Sequence, residues 1–523
     1  CMLFAYTVLC AEVVDAQLPM FERATVVKNA RILIGDGSVI EKGSLLIQKG
    51  RIAAIGRTVK APLFAQRIDA AGKTVTPGLI DAWSALGLTG QPSATTGATA
   101  RAWDGFDSYA LDGFRDALRN GVTAVYVGPR RASGIAGIGT IVRLELTGGS
   151  GVGEVMVEDS ALVVNLASDE RPIARLKTLD AVRKAFRTAV EYREALEDYD
   201  EELEEYLEAL EKRREKEKTE EEDDNGKGEE ESSDDDPKPD TPSPEDPEPE
   251  PEDEDDDDAH FDARNGVANA SRARGRETRN NTAPGDQDGA SDDDEKPKPD
   301  SDGDGDGKAE ESEEKEDDED GPEKPEKPAP DRDSDVLLRA IDHELPVRVR
   351  AQRSEDILNA LALAEEFNLE ILLEGATEAY LVADLIAAAD VAVILGSAVR
   401  RPDLDDPTSQ YRRHAAINAA ALDRAGVEWT IGSGAETPET ARFVGLNAQS
   451  AVAATDARVD WLNRVTVIAA RVLRVERRIG RLQPGWAADL VIWDGDPGDP
   501  ASKVERVFVA GKPAYVAPHI RGR

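Results

Sequence analysis

The stretch Thr76-Pro77-Gly78-Leu79-Ile80-Asp81-Ala82-Trp83-Ser84-Ala85-Leu86-Gly87 divides the chain into two kinds of pattern. Upstream the sequence reads as strand and turn. Val26–Ile34 runs into Gly35-Asp36-Gly37, and Ser44–Gln48 and Arg51–Gly56 flank Lys49-Gly50 as a hairpin. Downstream, short apolar runs alternate with helical stretches: Val122–Val127, Ala161–Leu166, Pro346–Ala351, Leu369–Leu373, Val391–Leu395 and Val427–Ile431. Alternation of this length predicts an α/β fold built on a parallel barrel. Near the far end, Ala488–Trp493 and Val504–Val509 return to strand.

The charge is confined to one place. Of the net −42 on 523 residues, −41 lies in residues 195–335, which hold 60 Asp and Glu against 19 Lys and Arg. Neither that block nor the near-neutral remainder has the positive excess of a nucleic-acid footprint, so nucleic acid is not an expected partner. The block begins as helix: Ala181 to about Lys218 is rich in Ala, Leu, Glu, Lys and Arg, with pairs such as Glu208 and Lys212 one turn apart. Between Thr219 and Asp333 aromatic and branched residues nearly vanish, and Phe261 is the only aromatic. Burial there cannot offset the ordering entropy, so a disordered acidic insertion is expected. A mildly basic island at Arg264–Arg279 interrupts it and could fold back on the acids.

One motif falls inside the insertion. Asp300, Asp302, Asp304 and Glu311, with Gly305 between, follow the spacing of a calcium loop. Lys296-Pro297-Lys298-Pro299 stands where an incoming helix is needed, and the eighth position is Gly307 rather than an apolar anchor. Diffuse cation condensation on an acidic tract is the simpler reading.

The two cysteines, Cys1 and Cys10, lie in an apolar opening that ends at Val14-Asp15-Ala16. Residues 1–16 read as a signal-peptide remnant, which implies a secreted or periplasmic protein whose mature chain lacks cysteine. No membrane span is expected in that mature chain; the most apolar stretch, Tyr380–Val399, is interrupted by Asp384 and Asp390.

The residues at both ends carry a resemblance. Thr76-Pro77-Gly78-Leu79-Ile80-Asp81-Ala82 resembles the opening of the amidohydrolase superfamily. Ile479-Gly480-Arg481-Leu482-Gln483-Pro484-Gly485-Trp486-Ala487-Ala488-Asp489-Leu490-Val491 and Val509-Ala510-Gly511-Lys512 resemble its closing segment. The nearer likeness is to the imidazolonepropionase-like branch, whose members hydrolyse amide-type C–N bonds. The resemblance implies a β-sandwich composed of residues 23–76 and 479–516. It also implies a (β/α)8 TIM-like barrel of residues 77–194 and 336–478, and homodimers occur among such relatives.

The same resemblance implies zinc or another divalent metal, held by histidines and an aspartate at the C-terminal ends of barrel strands. Such an ion lowers the pKa of water from about 15.7 to about 7. At the expected ligand positions this chain has Trp83 and Ala85, Arg350, Gly375 and Gly434, and the bridging lysine has no clear counterpart near Val163-Val164-Asn165. A guanidinium at Arg350 would repel a cation. No cofactor is therefore expected, and the family's hydrolytic site reads as dismantled.

The four histidines offer few replacements. His260 falls in the insertion, His519 near the C-terminus, and His343 at the barrel end opposite the family's active site. His414 could join Asp403, Asp405 and Asp406 in a relocated metal site, or those acids could simply cap a helix starting near Thr408. Ser84 and Ser433 have no evident base partner, and Gly134–Gly139 is expected as a loop at the barrel's upper face. Trp83 could fill the vacated space, or Trp83, Arg350, Gln352 and Glu378 could line a pocket for a carboxylate-bearing ligand anchored by Arg350. Three functions remain in view: a metal-free pseudoenzyme that binds a small molecule, a hydrolase with a relocated site, and an acidic cation- or partner-binding tether on an inert barrel.

Overall fold

The computed structural model describes residues 23–88, 97–130, 133–146, 149–167, 172–225, 322–398, 409–434, 437–453, 455 and 460–520. The chain forms two units, one of residues 1–205 and 324–523 and one of residues 206–323. The first unit contains both sheets.

The N-terminal strands are β1 (Thr25–Leu33), β2 (Val39–Gln48), β3 (Arg51–Gly56), β4 (Gln66–Asp69) and β5 (Thr74–Pro77). Barrel strands follow: β6 (Leu79–Ser84), β7 (Val122–Val127), β8 (Gly134–Leu144), β9 (Val152–Asn165), β10 (Val347–Ala351), β11 (Ile371–Gly375), β12 (Ala392–Leu395) and β13 (Trp429–Ile431). The last three are β14 (Leu490–Trp493), β15 (Val504–Val509) and β16 (Lys512–Val516). Helices α1 (Leu111–Arg119), α2 (Pro172–Asn225), α3 (Arg332–Ile341), α4 (Ser354–Phe367), α5 (Ala383–Ala388), α6 (Asn418–Ala425), α7 (Val444–Val452), α8 (Trp461–Arg464) and α9 (Val467–Val472) complete the order.

The two ends meet in one sheet, in the order β16-β15-β14-β5-β1-β2-β3, with β4 alongside β1. β5 and β14 run antiparallel, Leu490 opposite Pro77 and Trp493 opposite Thr74. This β-sandwich-like layer buries Val27, Ile32, Leu45, Ile52, Leu490, Ile492 and Phe508 in a core of its own. The strands of both ends are amphipathic, and neither set alone could cover that core.

The second sheet, ordered from β6 through β13, is a nearly closed eight-stranded barrel. It departs from the expected (β/α)8 pattern at β8, which runs antiparallel to both β7 and β9. The glycine-rich segment expected as a loop is the start of this strand. Glycine suits it because the neighbours come so close. A Cβ on Gly139 would fall 2.1 Å from the Tyr126 hydroxyl, and one on Gly137, at φ +116°, 2.1 Å from the Ala100 carbonyl.

Helices cover the outside. On α2 the positions Leu179, Val182, Phe186 and Ala189 repeat at helical spacing and are buried, and the Phe186 ring lies 5.3 Å from that of Phe367. Below, α9 and the turn after it pack Ala469, Ala470 and Leu473 with Ile80 and Val163. Residues 206–225 of the second unit are helical, with the ion pairs Glu208–Lys212 and Arg213–Glu217 one turn apart. Residues 1–16, the basic island at 264–279, and the calcium-like spacing of Asp300, Asp302, Asp304 and Glu311 lie outside the described residues. No described helix is long and apolar enough to cross a membrane.

Candidate functional site

The alternation Val347-Arg348-Val349-Arg350-Ala351 in β10 sends successive side chains to opposite faces. Val347, Val349 and Ala351 join the core under the helices, together with Leu337, Ile357 and Phe186. Arg348 and Arg350 therefore share the other face, inside the barrel. On the neighbouring strand, Glu374 stands directly opposite Arg350.

Glu374 takes both guanidiniums. Arg348 donates to Oε1 through Nε at 3.1 Å and Nη2 at 2.6 Å, and Arg350 donates to Oε2 through Nε at 2.8 Å. Arg348 Nη2 also donates to the Ala82 carbonyl at 2.8 Å, and its guanidinium lies 3.4 Å from the centre of the Tyr126 ring. One arginine thus ties β6, β7, β10 and β11 together through a carbonyl, an aromatic face and a carboxylate. Burial pushes the Glu374 carboxyl upward, but the charges of Arg350 and Arg348 outweigh it and hold the group below the usual carboxylate range.

The seam between β13 and β6 is closed by Asp81. Its Oδ1 accepts from the backbone N–H of Ser433 at 2.8 Å and of Trp83 at 3.2 Å. In return the Trp83 carbonyl accepts from Gly434 N–H at 3.0 Å and from the Ser433 hydroxyl at 3.2 Å. Asp81 is fully buried, and loss of solvation raises its pKa to about 6 against the lowering effect of those hydrogen bonds.

Beside this seam a cavity opens at the C-terminal ends of the parallel strands, with about 600 Å³ of empty space counted out into its mouth. Trp83, Gln352, Gly375 and Gly434 form its floor, and Tyr411 and His414 lie along its rim. Gly375 stands at φ +91°, and a Cβ there would come within 2.2 Å of Gln352 Nε2. The carboxamide of Gln352 is turned by Thr377, whose hydroxyl donates to Oε1 at 2.5 Å.

The four residues expected to line one pocket are thus divided. Trp83 and Gln352 face the cavity. Arg350 lies beside Trp83, its guanidinium 5.2 Å from the indole ring, but belongs to the Glu374 cluster. Glu378 caps the start of α4, accepting from the Ser354 N–H at 3.0 Å and hydroxyl at 3.1 Å, with Arg413 at 3.4 Å. Of the relocated set, His414 lines the cavity, while Asp403, Asp405 and Asp406 lie outside the described residues. His343 Nε2 is bound to the Asn368 carbonyl at 2.5 Å, on the turn before β11.

Arg348, Glu374 and Tyr126 went unremarked in the sequence reading. Their signal was present: two arginines at a strand period of two and a glutamate inside Leu372-Leu373-Glu374-Gly375 are charges in otherwise apolar staves.

These residues do not fit a divalent ion. Trp83, Ala85, Arg350 and Gly375, where the resemblance leads one to expect ligands, offer indole, methyl, guanidinium and hydrogen, and both Glu374 oxygens are engaged by arginine. Among the described residues no group of three or more His, Cys, Asp or Glu is placed to hold a metal.

Comparison with known proteins places the chain. Residues 447–517 match the Amidohydrolase family. A dihydroorotase from Geotalea daltonii is 28% identical over 176 residues, covering 32% of this chain and 40% of that protein. An imidazolonepropionase from Sphingopyxis alaskensis is 30% identical over 182 residues, covering 34% of this chain and 42% of that protein. The matched segments span about two fifths of these relatives' length. An amidohydrolase from Thermotoga maritima has the same fold, with a TM-score of 0.62 over 94% of this chain and 100% of that one at 19% identity.

Proposed function

Because the chain belongs to the amidohydrolase superfamily, we propose that it keeps the hydrolase barrel, has given up metal-dependent hydrolysis, and binds a small molecule at the barrel mouth. The observation that carries this reading is the Arg348–Glu374–Arg350 cluster. A hydrolase of this superfamily needs lone-pair donors around a cation, and here two organic cations with no acceptor capacity stand in the same chamber. The cavity floored by Trp83 and Gln352 is concave, partly apolar and edged by polar groups, as small-molecule sites are. Its residues would bind and orient a ligand.

Metal analysis of the full chain, purified without chelators, tests the reading. Well under one zinc, iron or manganese ion per chain is expected, and a stoichiometric ion would overturn it.

A competing reading is a hydrolase rearranged around His414, because that side chain reaches the cavity. It requires Asp403, Asp405 and Asp406 to complete a relocated centre. If an amide hydrolysis detected in the wild type survived in a D405N/H414A double variant, this alternative would be removed.

A further inference from the structure

Buried charges come in balanced sets because an uncompensated ion in a low-dielectric interior is expensive. Among the described residues the chamber at the end of β10 is not balanced. Two guanidiniums share one carboxylate, and among the described residues Arg350 and Arg348 are the charged groups acting on Glu374. Arg348 is 1% exposed, yet its Nη1 has no hydrogen-bond partner. A buried guanidinium nitrogen left unmatched beside a surplus positive charge points to an acceptor that arrives from outside the chain.

Access is through Arg350. Its side chain retains 15% exposure, near the C-terminal end of β10, while Arg348 sits beneath it on the same face.

We propose that this end of the barrel is a binding site for a small oxyanion, a carboxylate or a phosphate, held by Arg350 over the buried Arg348–Glu374 pair. The inference rests on the ligand-binding reading above and names the charge of the ligand. The planar fork of Arg350 suits two oxygens at once, whereas a halide offers no second acceptor. Glu374 limits affinity, since its carboxylate already engages one edge of each guanidinium.

Thermal unfolding of the full chain, with inorganic phosphate and acetate titrated in separate arms at fixed ionic strength, tests the site. A ligand that binds only the folded state gives a saturable rise in Tm. We expect such a rise with at least one of the two anions, and which one responds assigns the headgroup. Arg350→Gln should abolish the response. Arg350→Lys, which keeps the charge but not the fork, should weaken it about tenfold, and Glu374→Gln should tighten it by a similar factor. Should Arg350→Gln fail to fold, tryptophan emission supplies a second readout: anion binding beside Trp83 should change it, and Trp83→Phe should remove the change. No saturable response to either anion in wild type, or a response unchanged in the Arg350 variants, overturns the proposal. A chain that is free of metal but indifferent to anions sinks this inference alone, whereas an anion response in a chain carrying stoichiometric metal sinks only the loss of metal chemistry.

Discussion

Arg348 and Glu374 meet inside the barrel at 2.6 Å, with 1% and 0% of their side chains exposed. Two ions so fully removed from water hold each other in place. The pair adds little net stability compared with apolar residues of the same shape, but breaking it from one side is severe.

Replacing Glu374 by Ala should destabilise the protein by about 3–5 kcal/mol, because two guanidiniums are left buried without a counter-charge. Replacing Arg350 by Met should cost distinctly less, since Arg348 continues to neutralise Glu374 from 2.6 Å. Urea midpoints for the two variants give the comparison. Equal losses would mean that the carboxylate is not the centre of the cluster.

Asp81 sets a pH dependence whose sign can be worked out. Its folded pKa of about 6 lies above the ordinary 3.8. The folded state therefore holds the proton more tightly, and its contribution is fully present below about pH 4 and lost as pH rises through about 6. The span corresponds to about 3 kcal/mol. Asp81→Asn keeps an acceptor for the Ser433 and Trp83 N–H groups without the charge. Its stability should be flatter than that of the wild type between these pH values, measured by urea unfolding at several pH points.

Gly375→Ala should cost about 1–3 kcal/mol more than Gly37→Ala, although both glycines have positive φ. The difference is space. A Cβ on Gly37 meets nothing within 4 Å, whereas on Gly375 it strikes the Gln352 carboxamide. The Gly375 variant should also disturb whatever binds in the cavity, which calorimetric titration of a responsive ligand would detect.

Restoring two histidines should not restore a metal. In a W83H/A85H variant the imidazole at position 83 would lie beside Arg350, and metal content should remain well below one ion per chain. The loss of the buried indole should also lower stability by about 2–4 kcal/mol. Stoichiometric zinc in this variant would show that the arginines are not what keeps cations out.

Much of the architecture was legible in the chain itself. The β-only ends, the alternating middle and the boundary at Thr76–Gly87 follow from local periodicity, which is a property of neighbouring residues. The absence of histidine at positions 83, 85, 350 and 375 is likewise a matter of reading letters. Local pattern failed at Gly134–Gly139, where the chain is a strand because Tyr126 and the Ala100 carbonyl approach too closely for any side chain. Nothing adjacent in sequence announces those neighbours. The same holds for the charged core. Alternation places Arg348 and Arg350 on one face, but only barrel closure brings Glu374, Tyr126 and the Ala82 carbonyl around them. It also separates Glu378, committed to the cap of α4, from the cavity it was expected to line. Sequence fixes which chemical groups a strand can offer. Which charges end up facing one another is decided by the register and curvature of strands far apart in the chain, because electrostatic partnership depends on distance in space and on the water excluded between the partners.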